Sequence, residues 1–291
     1  MDIKKYNCDI NSMHMNSSYG IMLNWCRNNT VVLDVGCSRG YFGEALSKYK
    51  SCRCFGIEYD RERREEAKAR GVYEELTADD LNTPDERTFA GWKNKFDYII
   101  LGDVLEHLLS PLSALSALKQ CIARGGELLI SLPNVAHASI KAGLLLNQFR
   151  YTEEGFLDRT HLHFFTAENV ADLLSDAQLE IIEATGTVMG FKGFTDGEEF
   201  YSLPIPVLMN IFQNVHSFVY QYVCRTVPSS RLPDELRQNN RRKLDFDFEA
   251  LPLARKHAEM LIRQLRDNLS VKASTYTMVQ NPSSGICIHI P

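Results

Sequence analysis

Val31-Val-Leu-Asp-Val-Gly-Cys-Ser-Arg-Gly40 is the stretch whose reading decides the fold. Its first five residues form an apolar run of strand length, and residues 41–49 behind it have helical composition, so the glycines fall in a strand-to-helix turn. Glycine there lets the backbone approach a ligand and adopt positive φ, while the following helix offers unpaired N–H groups. The Lys-Ser/Thr pair of a phosphate-binding P-loop is missing, and an acid, Asp34, precedes the first glycine. A carboxylate at that point repels phosphate but accepts hydrogen bonds from an ammonium or a bound water. Alone, the turn implies a nucleoside-type ligand.

Outward from this turn, strand-like and helix-like stretches alternate. Met15, Tyr19, Met22, Leu23 and Cys26 sit at helical spacing over residues 15–27, ended by Asn28-Asn29. Residues 54–57 read as a strand, 61–70 as a charged helix and 72–77 as a short strand. A polar loop containing Pro84 leads to an apolar strand at 96–101. Residues 104–109 and 111–123 read as helical, Gly125-Gly126 as a turn and 127–132 as a buried strand. A loop and helix at 133–148 precede an aromatic, charged loop at 151–165; Thr166-Ala-Glu-Asn169 then caps a helix that ends at Ala177. The last strands are expected at 179–184 and 217–224. This alternation predicts an α/β fold, a mostly parallel, doubly wound sheet with helices on both faces. After Thr226 the composition turns charged and proline-containing. Residues 1–226 are therefore expected to form the main domain, 227–248 a linker, and 249–291 a helical extension with a terminal strand. The helix of that extension, 249–269, carries Leu251, Ala254, Ala258, Leu261, Leu265 and Leu269 on one side, a stripe that suits either its own domain or a homodimer contact.

The 291 residues are 44% apolar and 24% charged, ordinary values for a folded soluble protein. A net charge of −5 disfavours nucleic acid as a partner. The eight cysteines are scattered, which predicts reduced thiols and a cytoplasmic location. Cys52-Arg-Cys54 is the one tight pair, and no second pair stands at zinc-ligand spacing. The opening Met1-Asp2-Ile3-Lys4-Lys5 lacks the apolar stretch of a signal peptide. No stretch has the ~20 predominantly apolar residues of a membrane span; the nearest, 205–224, is interrupted by Asn210, Gln213, Asn214 and His216.

Further parts of a nucleoside site follow the turn. Glu58 ends the second strand, 18 residues after Gly40, where a carboxylate accepts both ribose hydroxyls. Asp79 and Asp80 come near the end of the third strand, where an acid can accept from the adenine amino group. The fourth strand runs through Leu101 into Gly102 and Asp103, so its end faces the same crevice. Asp34, Gly36, Ser38, Gly40 and these residues are the expected cofactor contacts. Together they favour a nucleoside with a cationic amino-acid tail over a dinucleotide.

Four stretches in order, Val32-Leu-Asp-Val-Gly-Cys-Ser-Arg-Gly40, Gly56-Ile-Glu-Tyr-Asp60, Phe96-Asp-Tyr-Ile-Ile-Leu-Gly-Asp-Val-Leu-Glu-His-Leu108 and Gly125-Gly-Glu-Leu-Leu-Ile-Ser-Leu-Pro-Asn134, resemble the successive motifs of class I S-adenosylmethionine-dependent methyltransferases. The resemblance spans residues 10–226. It implies a Rossmann-like sheet of seven strands, the last antiparallel, with S-adenosyl-L-methionine as cofactor. Ser38 departs from it, since many members have glycine there.

Residues left over by the cofactor point to the acceptor. Asp103-x-x-Glu106 matches a capping box, a purely local role. Alternatively Glu106, His107 and His161, with Asp103 near, form an oxygen-and-imidazole set for a divalent cation that acidifies an acceptor hydroxyl. Small-RNA 2′-O-methyltransferases and some quinone-biosynthesis O-methyltransferases carry similar groups. Without metal, His161 or His163 is the expected general base, since imidazole titrates near neutrality; His107, His161 and His163 are thus the catalytic candidates. Ser131-Leu-Pro-Asn-Val-Ala-His137 and the stretch from Gln148 to Thr166 resemble a bacterial subgroup associated with surface-glycan assembly, which shifts the expected acceptor to a saccharide hydroxyl. Ser284-Gly-Ile-Cys-Ile-His-Ile-Pro291 resembles the first strand of a nucleotide-sugar glycosyltransferase, and implies association with or fusion to such an enzyme. Metal-assisted RNA 2′-O-methylation, N-methylation of an amino sugar or peptide, and a non-catalytic cofactor-binding scaffold are the rival readings.

Overall fold

The computed structural model describes residues 16–83, 86–189, 203–233, 237, 240–247 and 249–273. Its first half runs α1 (Ser18–Trp25), β1 (Val31–Val35), α2 (Tyr41–Lys50), β2 (Arg53–Ile57), α3 (Arg61–Ala69), β3 (Tyr73–Thr77), α4 (Glu86–Gly91) and β4 (Phe96–Gly102). The second half runs α5 (Pro111–Lys119), β5 (Ile122–Pro133), α6 (Ala138–Leu145), α7 (Ala167–Asp176), β6 (Leu179–Val188), α8 (Ile205–Phe212), β7 (Val219–Pro228), α9 (Asn240–Lys243) and α10 (Pro252–Ala273).

The seven strands lie in the order β3-β2-β1-β4-β5-β7-β6. All neighbours from β3 to β5 pair in parallel, and β7 runs antiparallel to both β5 and β6. This is the Rossmann-like methyltransferase sheet that the four motifs imply. Successive residues of the central strands are buried on opposite faces. Leu33, Val35, Ile99 and Leu101 join one cluster with α5, α7, α8 and α10, whereas Val32, Tyr98 and Ile100 join another with α1 and α2. Double-sided burial explains why these strands read as continuous apolar runs.

Four local expectations change. Residues 104–109 make only a single 3-10 turn, Leu105–His107. Asp103 does not cap it, and Pro111 starts α5 afresh, a proline being compatible with the first helical turn but not with the turn before it. The polar Pro84 loop contains α4, and Phe89 and Trp92, three residues apart, pack into the core. Gly125-Gly126 is not a turn between elements: β5 begins at Ile122 and passes through it, with Gly125 at φ 82° and a register shift against β4 between Phe96 and Tyr98. A Cβ on Gly126 would stand 2.6 Å from the Phe96 carbonyl oxygen, so the bulge requires glycine. The apolar stretch 205–224 is divided between α8 and β7, and no helix among the described residues is long and apolar enough to cross a membrane.

Within the stretch expected as a linker, the described residues 240–243 lie against α7 and β6. The buried Asn240 side chain accepts from Ile181 N at 2.9 Å and donates to Leu179 O at 2.8 Å and Ser175 Oγ at 3.1 Å. Leu251, Ala254, Ala258, Leu261 and Leu265 of the extension are buried in the main core cluster, so these five pack on their own domain, while the side chain of Leu269 falls outside the described part. Residues 284–291 fall outside the described residues. The six described cysteines are free and buried.

Asn240→Ala strands the buried Ile181 N–H and the Leu179 carbonyl, and should cost about 1–3 kcal/mol. Urea unfolding measures this; an unchanged midpoint would mean that residues 240–243 do not brace β6.

Candidate functional site

β1 pairs in parallel with both β2 and β4, aligning Val35 with Ile57 and Leu101. The helices after β1 and β4 cover opposite faces of the sheet, so a crevice opens beyond the strands' carboxyl ends. A cavity of about 750 Å³ lies there. Of the expected cofactor contacts, it is lined by Asp34, Gly36, Ser38, Glu58, Asp79, Asp80, Gly102 and Asp103.

Gly36 has φ 65°, and a Cβ on it would lie 2.8 Å from the Val104 side chain. Ser38 adopts the same left-handed region, φ 48°, without being glycine, and its buried hydroxyl has no hydrogen-bond partner. Its N–H donates to Glu58 Oε2 at 2.8 Å, and Asp60 N donates to Glu58 Oε1 at 2.8 Å. Two backbone donors therefore orient the Glu58 carboxylate across the turn, and a carboxylate accepts about four bonds, which leaves capacity for ribose hydroxyls. Asp80 Oδ1 accepts from Asn82 N at 2.9 Å, which fixes the loop after β3. Asp34, 3% exposed, accepts from the Tyr73 hydroxyl at 2.7 Å. Burial pushes its pKa up to about 7, the Tyr73 bond opposing and the Glu58 charge adding.

Two expected contacts are not lining residues. The Leu101 side chain points into the core, and β4 reaches the cavity through Gly102 and Asp103 instead. Gly40 is the left-handed N-cap of α2; a Cβ there would meet the Ala67 backbone and the Tyr73 ring at 3.0 Å, so it serves close packing. Tyr19 was not anticipated at the site. From α1 it lines the cavity, packs on Phe42 at 4.8 Å between ring centroids, and bonds Gly102 O at 3.4 Å. Its place in a helical apolar pattern marks only core.

At the other end, the capping box is absent. Asp103, at φ 55°, accepts at Oδ1 from the Ser131 hydroxyl at 2.9 Å and at Oδ2 from Gln221 Nε2 at 2.5 Å. Its carboxylate thus ties β4 to β5 and β7, and burial raises its pKa to about 6 against those two bonds. Glu106, 1% exposed, has no partner for either carboxylate oxygen. Burial, then the Asp103 and Asp158 charges, push its pKa well above the ordinary carboxylate range.

His107 and His161 meet edge to face beside Glu106, with ring centroids 4.8 Å apart. His107 Nδ1 lies 3.2 Å from Thr160 O, and His161 Nδ1 lies 3.2 Å from Phe156 O. A carbonyl only accepts, so in both rings Nδ1 is the donor, and in the neutral imidazole Nε2 is left with the lone pair. One ligand atom from each of Glu106, His107 and His161 lies within 4.8 Å of the others. The loop is fastened by Leu162 N and His163 N, which both donate to Glu106 O, at 2.8 and 3.1 Å. His163 does not line the cavity; its ring lies 6.1 Å from that of Phe165. Chain alternation could not separate it from His161. Asp158 shapes the same loop, accepting from Thr160 N at 2.8 Å and Thr160 Oγ1 at 2.7 Å.

A family model described as a methyltransferase domain matches residues 20–184. The chain belongs to this methyltransferase family. S-adenosyl-L-methionine is its cofactor, and the cradle fits a nucleoside of this kind: a glycine at positive φ, a carboxylate oriented by two backbone donors with capacity to spare, and further acids along the lining. Curated relatives from Cereibacter sphaeroides, named ubiquinone biosynthesis O-methyltransferase, are 26% identical over 159 residues. That match covers 54% of this chain, and the chain spans 63% of the relatives' length. Among solved structures, the [4+2]-cyclase SpnF aligns with TM-score 0.52 at 14% identity, over 77% of this chain and 86% of that one. Phosphoethanolamine N-methyltransferase 2 of Haemonchus contortus, in complex with S-adenosyl-L-methionine, aligns with TM-score 0.50 at 15% identity, over 74% and 52%. These two likenesses establish the fold.

Glu58→Ala should weaken S-adenosylmethionine binding by more than ~1 kcal/mol, the scale of a charge-assisted hydrogen bond; calorimetry showing unchanged affinity would remove Glu58 from the ribose role. Ser38→Gly relieves left-handed strain worth ~1 kcal/mol and removes an unpartnered hydroxyl, partly offset by backbone entropy. A higher urea midpoint is the expected result, and a lower one would show that the hydroxyl supports the turn.

Proposed function

We propose that this protein transfers the methyl group of S-adenosylmethionine to a hydroxyl oxygen of its acceptor, in a site that Glu106, His107 and His161 equip to hold a divalent cation. The observation that carries this reading is the buried Glu106 carboxylate, without a partner on either oxygen, beside two imidazoles whose Nε2 lone pairs are set by Nδ1 donation. A buried carboxyl without donors takes up a proton rather than stay charged, as its raised pKa says, and a divalent cation held between it and the two imidazoles would replace that proton. Backbone carbonyls on the far nitrogens are also the usual orienting partners of metal-binding histidines. Bound there, a divalent cation would lower the pKa of an acceptor hydroxyl. Oxygen as the acceptor atom is supported by the name of the Cereibacter sphaeroides relatives.

In the transfer itself the acceptor oxygen gives up its proton and forms a bond to the methyl carbon as the carbon–sulfur bond breaks, leaving S-adenosylhomocysteine. Asp34 would fix the amino-acid end of the cofactor and Glu58 its ribose, on either side of the sulfonium, so that the methyl group faces the acceptor side, and Tyr19 would cover it from α1. Alignment and exclusion of water are the protein's contribution. A saccharide hydroxyl is the acceptor proposed from the sequence resemblance at 131–137 and 148–166, together with a glycosyltransferase partner. An acceptor from ubiquinone biosynthesis is the second reading, favoured by the relatives' name.

Exhaustive chelation should abolish methyl transfer, with recovery on adding back a divalent cation. Independently of activity, Glu106→Gln should weaken calorimetric binding of Mg²⁺ or Mn²⁺ by at least about tenfold, since even indirect partners of a metal site are worth that much, and leave S-adenosylmethionine binding intact. Full activity in chelator would discard the cation and leave His161 as general base. Mass spectrometry of glycan and quinone extracts with and without active protein distinguishes the two acceptors.

A further inference from the structure

Tyr73 is the residue whose placement the cofactor site does not yet explain. It opens the edge strand β3, and the pairing of β3 with β2 is irregular at that point: Cys54 faces Tyr73, but Phe55 faces Glu75. A bulge of this kind re-aims a side chain. The ring is sent under α2 and over β2 to Asp34 on β1, 39 residues earlier in the chain, and its hydroxyl donates to Asp34 Oδ2 at 2.7 Å.

Three glycines leave the space for it. A Cβ on Gly43, inside α2, would lie 2.3 Å from the Tyr73 hydroxyl oxygen and 2.4 Å from Cζ. A Cβ on Gly40 would lie 3.0 Å from Cε2, and one on Gly56 3.1 Å from Cδ1. Gly43 stands inside a helix, where glycine is less favourable than alanine by about 1 kcal/mol. Neither helix formation nor ligand approach accounts for a glycine there, since Gly43 does not line the cavity. Access of the phenol to Asp34 does.

We propose that Tyr73 is a positioning residue: through the slot left by Gly40, Gly43 and Gly56, its hydroxyl holds the Asp34 carboxylate ionised and turned toward the amino-acid end of S-adenosylmethionine. This rests on the reading that Asp34 receives the cofactor's ammonium. The groups around Asp34 make such help necessary. Glu58 faces it from the end of β2, the Cys37 thiol from the turn and the Cys54 thiol from within β2; β4 offers Ile100 as its pairing neighbour. None of these is a cation. Burial and the Glu58 charge both favour the protonated acid; the Tyr73 hydroxyl opposes them most, and the Gly43 N–H of α2 less.

The sign of the effect follows. Binding of the ammonium needs the carboxylate, so affinity rises with pH through the titration of Asp34, and a donor to the charged form lowers the midpoint of that rise. Calorimetric binding of S-adenosylmethionine across pH 5.5–8.5 (a range of about three units around a pKa near 7) reads it. In Tyr73→Phe, which keeps the ring in the slot, the midpoint should rise by about one pH unit. Gly43→Ala leaves the hydroxyl in the chain but denies it the slot; it should raise the midpoint in the same direction, and it decides the matter if Tyr73→Phe does not fold. A uniform loss of affinity with an unmoved midpoint, or no change, overturns the proposal. Asp34→Asn should erase the rise of affinity on the acid side of this range, leaving only the fall at about pH 8 where the cofactor's own ammonium loses its proton. If it does not, the reading of Asp34 fails, an outcome distinct from failure of Tyr73 alone.

Discussion

The parallel pairing of β1 with β2 on one side and β4 on the other is the constraint on which the rest of the structure depends. It brings three strand ends to one level, so that whatever follows Val35, Ile57 and Leu101 must share a single crevice. The residues that follow are a glycine at positive φ, a carboxylate held by two backbone N–H groups, and a glycine that leaves room for Tyr19. Each is a consequence of limited space and of polar groups needing partners. Burial of the strands on both faces makes the scaffold rigid enough to hold them.

The two ends of the cavity differ in how their charges are satisfied. At the cofactor end three acids have donors: Glu58 from the backbone, Asp34 from Tyr73, Asp80 from Asn82 N. At the acceptor end Asp103 is satisfied by Ser131 and Gln221, and Glu106 has nothing. A fold that leaves one buried carboxyl without donors while supplying them to its neighbours makes that group the one with the highest affinity for a proton or a cation. That group lies where the reacting acceptor would sit, and a cation bound there would take the proton's place.

The architecture was legible because its signals are local: apolar runs of strand length, helical spacing, and glycines at a strand-to-helix turn. Glu58, Gly36 and the Glu106–His107–His161 group were legible because a known family motif or a chemical type marks them. What could not be read depends on partners distant in sequence. Asp103 and Glu106 satisfy the local rule for a capping box, yet Asp103 bonds Gln221, 118 residues away. Tyr73 looked like an ordinary strand residue, since its bond to Asp34 follows from a bulge and three separate glycines. Leu101 and Gly40 lie within cofactor motifs but serve packing, because a motif specifies the path of the backbone and not which side chains face the cavity. α4 was hidden by polar composition, although Phe89 and Trp92 stand at helical spacing.

One feature of the sheet bears on how the chain is made. Among the described residues β7 is the last strand in sequence but lies between β5 and β6, and β6 has no other neighbour. As the chain leaves the ribosome, β1 to β5 can pair in turn, while β6 must wait for some thirty residues more before it has anything to bond. Gln221 arrives with β7, so Asp103 acquires its second donor only then. The crevice for the cofactor can therefore form on the nascent chain ahead of the acceptor side, and the enzyme becomes complete from one end of its cavity to the other in the order in which it is translated.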